Sequence, residues 1–139
     1  MAAGFEFLEH TADIGIKAWG PSVGEAFEQA ANALVELMGT RTRPSRKGST
    51  RLVSIHAPDL GALLVRFLDE VVFLSEADRI GVVSVHVVNA SSTSLEADVA
   101  LAPIDEQAHG LGVKAATYHQ LTVETRSDGC VEARVFLDI

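Results

Sequence analysis

The chain has 139 residues, of which 47% are hydrophobic, so it is long enough for one domain, 1–139, with a real core. Its formal net charge of -8 excludes a protein that binds nucleic acid over its whole surface. No signal peptide or membrane span is visible, and the single cysteine, Cys130, excludes an internal disulfide or a cysteine metal cluster. We therefore expect a cytoplasmic protein.

The charge is unevenly distributed. Residues 41–51 (RTRPSRKGSTR) contain five of the 11 basic residues and no acidic ones. Contact with nucleic acid would therefore involve either this basic loop or a partner protein. A solvated connector is the alternative interpretation of the loop.

The first part of the chain predicts two strands and a helix. Residues 4–9 and 14–19 alternate between apolar and polar side chains, as in strands with one buried face. Ser22 followed by Glu25 has the spacing of a capping box, which predicts that a helix begins there. Gly39 is the expected C-terminal stop of this helix.

The middle of the chain predicts a third strand at 52–56, a second helix capped by Asp59, and a hairpin. The hairpin strands are 80–88 and 92–101, with a turn at 89–91. The apolar face of the second helix is wide. Its solvent side is expected to carry four charged residues, namely Arg66, Asp69, Glu70 and Glu76.

The last part of the chain contains a polar loop, 103–112, and two strand-like runs, 112–125 and 130–139, joined by a turn at 127–129. The chain thus predicts roughly seven strands and two one-faced helices. We predict the α+β class: a single-domain sandwich of a mostly antiparallel or mixed sheet with both helices packed on one face.

Three places hold polar groups that the strand and helix pattern does not explain. They precede the second strand, follow the polar loop, and end the chain. No nucleophile, phosphate-loop or zinc spacing accompanies them. The residues are His10, Thr11 and Asp13; Lys114 with Thr117, Tyr118 and His119; and Asp138 with the α-carboxylate of Ile139.

Asp13, Asp138 and the terminal carboxylate are hard oxygen donors, which would suit Ca²⁺ or Mg²⁺ rather than a soft metal. Lys114 beside them could hold a phosphate or balance excess carboxylates. Each residue also has a plainer interpretation. Asp13 would cap a turn, Asp138 would be a solvated tail residue, and Lys114 would be a charge that protects a sheet edge.

The same three places resemble the archease family. Residues 5–15 (FEFLEHTADIG) look like its N-terminal signature, 113–119 (VKAATYH) like its second motif, and 136–139 (FLDI) like its terminal motif. Order and spacing are kept along the whole chain, which makes the resemblance more specific than any one motif.

The resemblance implies a non-enzymatic accessory protein of the GTP-dependent RNA ligase, acting in tRNA splicing or RNA repair. Such proteins promote guanylylation and repeated turnover of the ligase. The resemblance also implies a metal site formed by Asp13, Asp138 and Ile139, with Ca²⁺ expected and Mg²⁺ as the alternative, and it makes Lys114 a functional residue. The expected supporting residues are His10, Thr11, Tyr118 and His119.

The expected partner is therefore the ligase, with RNA contacted indirectly if at all and no membrane involved. A chaperone-like modulator of a tRNA methyltransferase is the alternative within the resemblance. A free-standing metal-dependent hydrolase is the alternative from chemistry, although the sequence shows no convincing pair of acid and base.

Overall fold

The computed structural model describes residues 2–9, 13–39, 48–76, 80–103 and 112–139. These residues form two helices and eight strands. In chain order the elements are β1 (Gly4–Glu9), β2 (Ile14–Gly20), α1 (Val23–Met38), β3 (Ser49–His56), α2 (Leu60–Glu76), β4 (Ile80–Ala90), β5 (Ser94–Pro103), β6 (Ala115–Ala116), β7 (Thr122–Thr125) and β8 (Val131–Asp138).

The strands form two antiparallel sheets. The large sheet has five strands in the order β1-β2-β8-β6, with β7 also paired to β8, and the small sheet has three in the order β3-β5-β4. Helix α1 packs against β2 of the large sheet and β4 of the small sheet, and one apolar core joins both helices to both sheets. The predicted α+β class is confirmed, but the expectation of one sheet is wrong.

Local signals place both helices as predicted. The Ser22 Oγ accepts a hydrogen bond from the backbone N–H of Glu25 at 3.2 Å, and Gly39 ends α1 in the left-handed region with φ 61°. The Asp59 Oδ1 accepts from the N–H of Ala62 at 2.8 Å and so caps α2. Within the described ranges, no helix is long and apolar enough to cross a membrane.

Two predicted loops differ from the structure. Strand β4 continues through Ala90, so the hairpin turn lies at 91–93, where the Ser91 Oγ accepts hydrogen bonds from the N–H groups of Thr93 and Ser94. The run at 112–125 is not one strand, because a turn in which Gln120 has φ 52° separates β6 from β7. The predicted turn at 127–129 is confirmed.

The strands divide into two sheets because side chains of α1 form hydrogen bonds with the free edge of β4. The Asn32 side chain accepts from the N–H of Val85 at 3.0 Å and donates to its carbonyl at 2.9 Å. The Glu28 Oε1 accepts from the N–H of Val87 at 2.8 Å. These side chains replace a neighbouring strand, so they satisfy the edge and prevent further pairing there.

Candidate functional site

The register of the large sheet brings together three residues that lie far apart in the sequence. Ile14 pairs with Leu137 across β2 and β8, so Asp13 and Asp138 lie at the next position, at the same end of the sheet. Ala115 pairs with Asp138 across β6 and β8. The backbone N–H of Lys114 donates to the carbonyl of Asp138 at 2.8 Å, which fixes Lys114 at this end too.

These side chains are accessible. Asp138 and Lys114 are exposed, Asp13 is half-buried, and Ile139 keeps 39% of its surface exposed. Leu137 is fully buried, and because side chains alternate along a strand, the neighbouring Asp138 belongs to the face of the sheet that points away from the core. We call this end of the sheet, with Asp13, Lys114, Asp138 and the α-carboxylate of Ile139, the acidic end.

The donors of the acidic end fit a hard divalent cation by their chemistry, since all of them are carboxylate oxygens. Among the described residues, no three His, Cys, Asp or Glu side chains form a metal cluster. Asp13 and Asp138 supply two carboxylates at this end of the sheet.

A glycine and an aromatic ring lie beside the acidic end on the same face. Gly15 pairs with Phe136, and a Cβ atom on Gly15 would lie 2.8 Å from Cε1 of the Phe136 ring. The absence of a side chain at Gly15 therefore lets this ring lie against β2. Phe136 is only 6% exposed, and on β8 it lies between Arg134 and Asp138 in the row of alternate positions that they share.

The polar residues that follow Lys114 in the second motif, of which Tyr118 and His119 were predicted to support the site, differ in their surroundings. The Thr117 N–H and Oγ1 both donate to the carbonyl of Phe136, at 2.9 and 3.0 Å. The centroids of the His119 and Phe136 rings lie 6.1 Å apart in an edge arrangement. Because Phe136 lies beside the acidic end, His119 lies near it as well. Tyr118 is 62% exposed. His10 and Thr11 lie outside the described residues, as do residues 41–47 of the basic loop.

Sequence reasoning missed Asp69 of α2, which it placed on the solvent side of the helix. The structure shows the Asp69 Oδ1 accepting the N–H of Ala116 at 2.7 Å, which ties α2 to the strand that follows Lys114. Burial raises the pKa of Asp69, and the hydrogen bond from Ala116 only partly opposes this. Asp69 therefore positions the segment that carries Lys114.

Asp69→Ala is expected to lower the free energy of unfolding by about 1–3 kcal/mol, because the N–H of Ala116 loses its acceptor. Asp69→Asn should cost less, since its amide oxygen can still accept that hydrogen bond. Chemical denaturation measures both, with Glu70→Ala as the control. Equal losses for the Ala and Asn variants would contradict this role.

The raised pKa adds a pH signature to the same comparison. A carboxyl whose pKa is higher in the folded state contributes stability below its unfolded pKa of about 3.9, and this stability is lost as pH rises through the folded value. The stability of the unmodified chain relative to Asp69→Asn should therefore decrease as pH rises above about 4. The Asn variant lacks this titration.

A separate ionic cluster lies further along the same face, around Glu132 of β8. Its carboxylate lies 3.3 Å from the Lys17 ammonium and also pairs with Arg126 and Arg134. Burial alone would raise the pKa of Glu132, but hydrogen bonds and charge from Arg126 and Lys17 outweigh it, so the pKa is lowered. These pairs link β2 to β8 and to the turn before β8.

Comparison with known proteins adds independent information to this geometry. The model of the archease protein family (MTH1598/TM1083) matches residues 5–139, nearly the whole chain. The chain belongs to the archease family. It is 34% identical to protein archease of Methanosarcina acetivorans, over 97% of this chain and 95% of that protein. It is 35% identical to protein archease of Sulfurisphaera tokodaii, over 89% and 91%.

Solved structures of relatives have the same fold. The solution structure of protein 1598 from Methanobacterium thermoautotrophicum matches with a TM-score of 0.70 and 30% identity, over 98% of this chain and 99% of that one. The crystal structure of an archease from Thermotoga maritima, described as a possible chaperone, matches with a TM-score of 0.68 and 23% identity, over 95% and 94%. The second likeness shows the fold alone.

Proposed function

We propose that this archease is a non-enzymatic accessory factor of the GTP-dependent RNA ligase, in tRNA splicing or RNA repair. It promotes guanylylation of the ligase and repeated turnover through its acidic end. The observation that carries the proposal is the strand register that places Asp13, Asp138 and Lys114 at one accessible end of the large sheet. This arrangement joins the three family motifs in space.

In this proposal, Asp13, Asp138 and the α-carboxylate of Ile139 hold the metal, which is Ca²⁺ or alternatively Mg²⁺. When bound, such a cation offsets the repulsion among the carboxylates and supplies positive charge for nucleotide phosphates. The Lys114 ammonium is a compact cation on an exposed side chain, and it contacts a phosphate or balances the carboxylates at the ligase surface. Because Asp13 is half-buried, its burial limits the directions from which a cation can approach its carboxylate.

The charge of the whole chain supports a protein partner rather than direct RNA binding. A net charge of -8 repels the phosphate backbone and attracts a basic, RNA-binding protein. RNA is then contacted through the ligase. We place this encounter in the cytoplasm.

One experiment separates this proposal from a free-standing hydrolase. The chain is added at one tenth of the ligase concentration to its ligase, GTP, divalent metal and RNA ends. The expected result is faster guanylylation and many ligation events per ligase, while the chain alone turns over neither GTP nor RNA. An unchanged guanylylation rate and turnover number would refute the proposal, and hydrolysis by the chain alone would favour the alternative.

A further inference from the structure

The two edges of the small sheet differ in what contacts their backbone groups. The β4 edge is closed by the side chains of Asn32 and Glu28 of α1. The opposite edge is β3, which pairs with β5 on one side, and no described strand pairs with its other side. Arg66 donates to the carbonyl of His56 at 2.7 Å, but this covers only the end of β3. Along most of this eight-residue strand, about every second residue therefore directs its backbone N–H and C=O away from β5, where a partner strand could bind them.

The centre of this edge also carries an exposed apolar side chain. Leu52 is 58% exposed and lies on the outer face of the small sheet, where it pairs with Asp98 of β5. Its neighbour Val53 points to the core and is 6% exposed. An open edge with a large apolar residue at its centre favours the addition of another strand. Pairing would satisfy the hydrogen bonds of the backbone and bury the apolar side chain at the same time.

We propose that β3 pairs antiparallel with β3 of a second copy, about a two-fold axis at Leu52, so that two three-stranded sheets become one continuous sheet. The sequence of β3 is self-complementary in this register. Leu52 faces Leu52 of the second copy, Thr50 faces Ser54 twice, and Arg51 faces Val53 twice. The register therefore buries the exposed leucine, pairs hydroxyl groups and sets no like charges directly opposite each other.

The interface is independent of the proposed ligase function. The acidic end belongs to the large sheet, whereas β3 belongs to the small one. Loss of dimerisation and loss of ligase stimulation are therefore separate outcomes, measured by separate experiments.

Charge gives the dimer a distinctive salt dependence. Each copy has a net charge of -8, so the two copies repel each other, and salt should strengthen the dimer by screening that repulsion. An acidic peptide bound along β3 would show the opposite dependence, because its attraction to Arg51 weakens in salt. Salt thus distinguishes a second copy from an acidic partner.

The test is sedimentation equilibrium of the full chain over a wide concentration range at low and high salt. Leu52→Lys, which sets two ammonium groups face to face, should raise the dimer dissociation constant roughly tenfold or more. Val88→Lys is the matched control, since Val88 is 56% exposed in the same sheet but lies on β4. A chain that stays monomeric throughout, or equal effects of the two variants, would overturn the proposal.

A cross-link provides a second measurement that needs no destabilising charge. In the proposed register, Leu52→Cys sets two thiols opposite each other, at a separation that strand pairing makes compatible with a disulfide. Mild oxidation, with release of two electrons to the added oxidant, should give a disulfide dimer of Leu52→Cys and none of Val88→Cys. The native Cys130 is 3% exposed and does not compete. Equal cross-linking of the two variants would refute the register.

Discussion

Asp13→Ala, Asp138→Ala and Lys114→Ala are each expected to abolish stimulation of the ligase, returning guanylylation and turnover to the rates of the ligase alone. The reason is that each variant removes a charge from the acidic end, where the register of β2, β8 and β6 sets them together. Asp138 and Lys114 are exposed, so their loss should change the free energy of unfolding by no more than about 0.5 kcal/mol. Ligation assays and chemical denaturation of the same samples measure the two effects.

A matched control has the same net charge as the two aspartate variants but leaves the acidic end unchanged. Glu124→Ala removes one exposed carboxylate from β7 of the same sheet, and it should leave stimulation unchanged. Calcium titration then separates the roles within the site. Asp13→Ala and Asp138→Ala should lose binding, whereas Lys114→Ala should keep it. Normal stimulation by all three variants would show that the site is assigned wrongly.

Local features of this fold could be predicted from the sequence because their causes are local. The cap at Ser22 and the left-handed residue Gly39 depend on side-chain reach and backbone freedom within a few residues. The turn at 127–129 is of the same kind. The separation of β6 from β7 was missed because Gln120, which is not a glycine, adopts a positive φ, and no composition signal marks it.

Long-range features could not be predicted from pattern alone. The pairing that brings Asp138 next to Asp13 joins opposite ends of the chain, and alternation in a strand does not reveal its neighbour. The family resemblance, rather than spacing, linked the two residues. The second sheet was missed for a similar reason, because the edge of β4 is closed by the side chain of Asn32, and this contact depends on how α1 docks.

The sequence around Asp69 carries a signal of its partly buried position. Val65, Asp69 and Val72 follow one another at helical spacing on α2, and both valines are buried. A carboxylate in such a row is costly unless it has a partner. The row therefore indicates a half-buried carboxylate that needs a donor, and in the structure that donor is the N–H of Ala116.

Gly15→Val is expected to destabilise the fold by about 1–3 kcal/mol, the usual cost of overpacking. A Cβ atom at this position would lie 2.8 Å from the Phe136 ring and 3.0 Å from the Cβ of Leu8, so both neighbours must shift. Gly112→Val is the matched control, because a Cβ there meets nothing within 4 Å in the described structure. Chemical denaturation of the two variants measures the difference.

Gly15→Val is also expected to disturb the acidic end. Asp13 lies two residues before Gly15, and Asp138 lies two residues after Phe136, so a displaced ring is expected to shift the ends of β2 and β8 that carry these two residues. Adding Phe136→Leu to Gly15→Val removes the overlap with the ring, while that with Leu8 remains, and should recover part of both stability and ligase stimulation. If Gly15→Val were as stable as Gly112→Val, the ring would not lie against β2. If it were destabilised without loss of stimulation, Gly15 would serve the fold and not the acidic end.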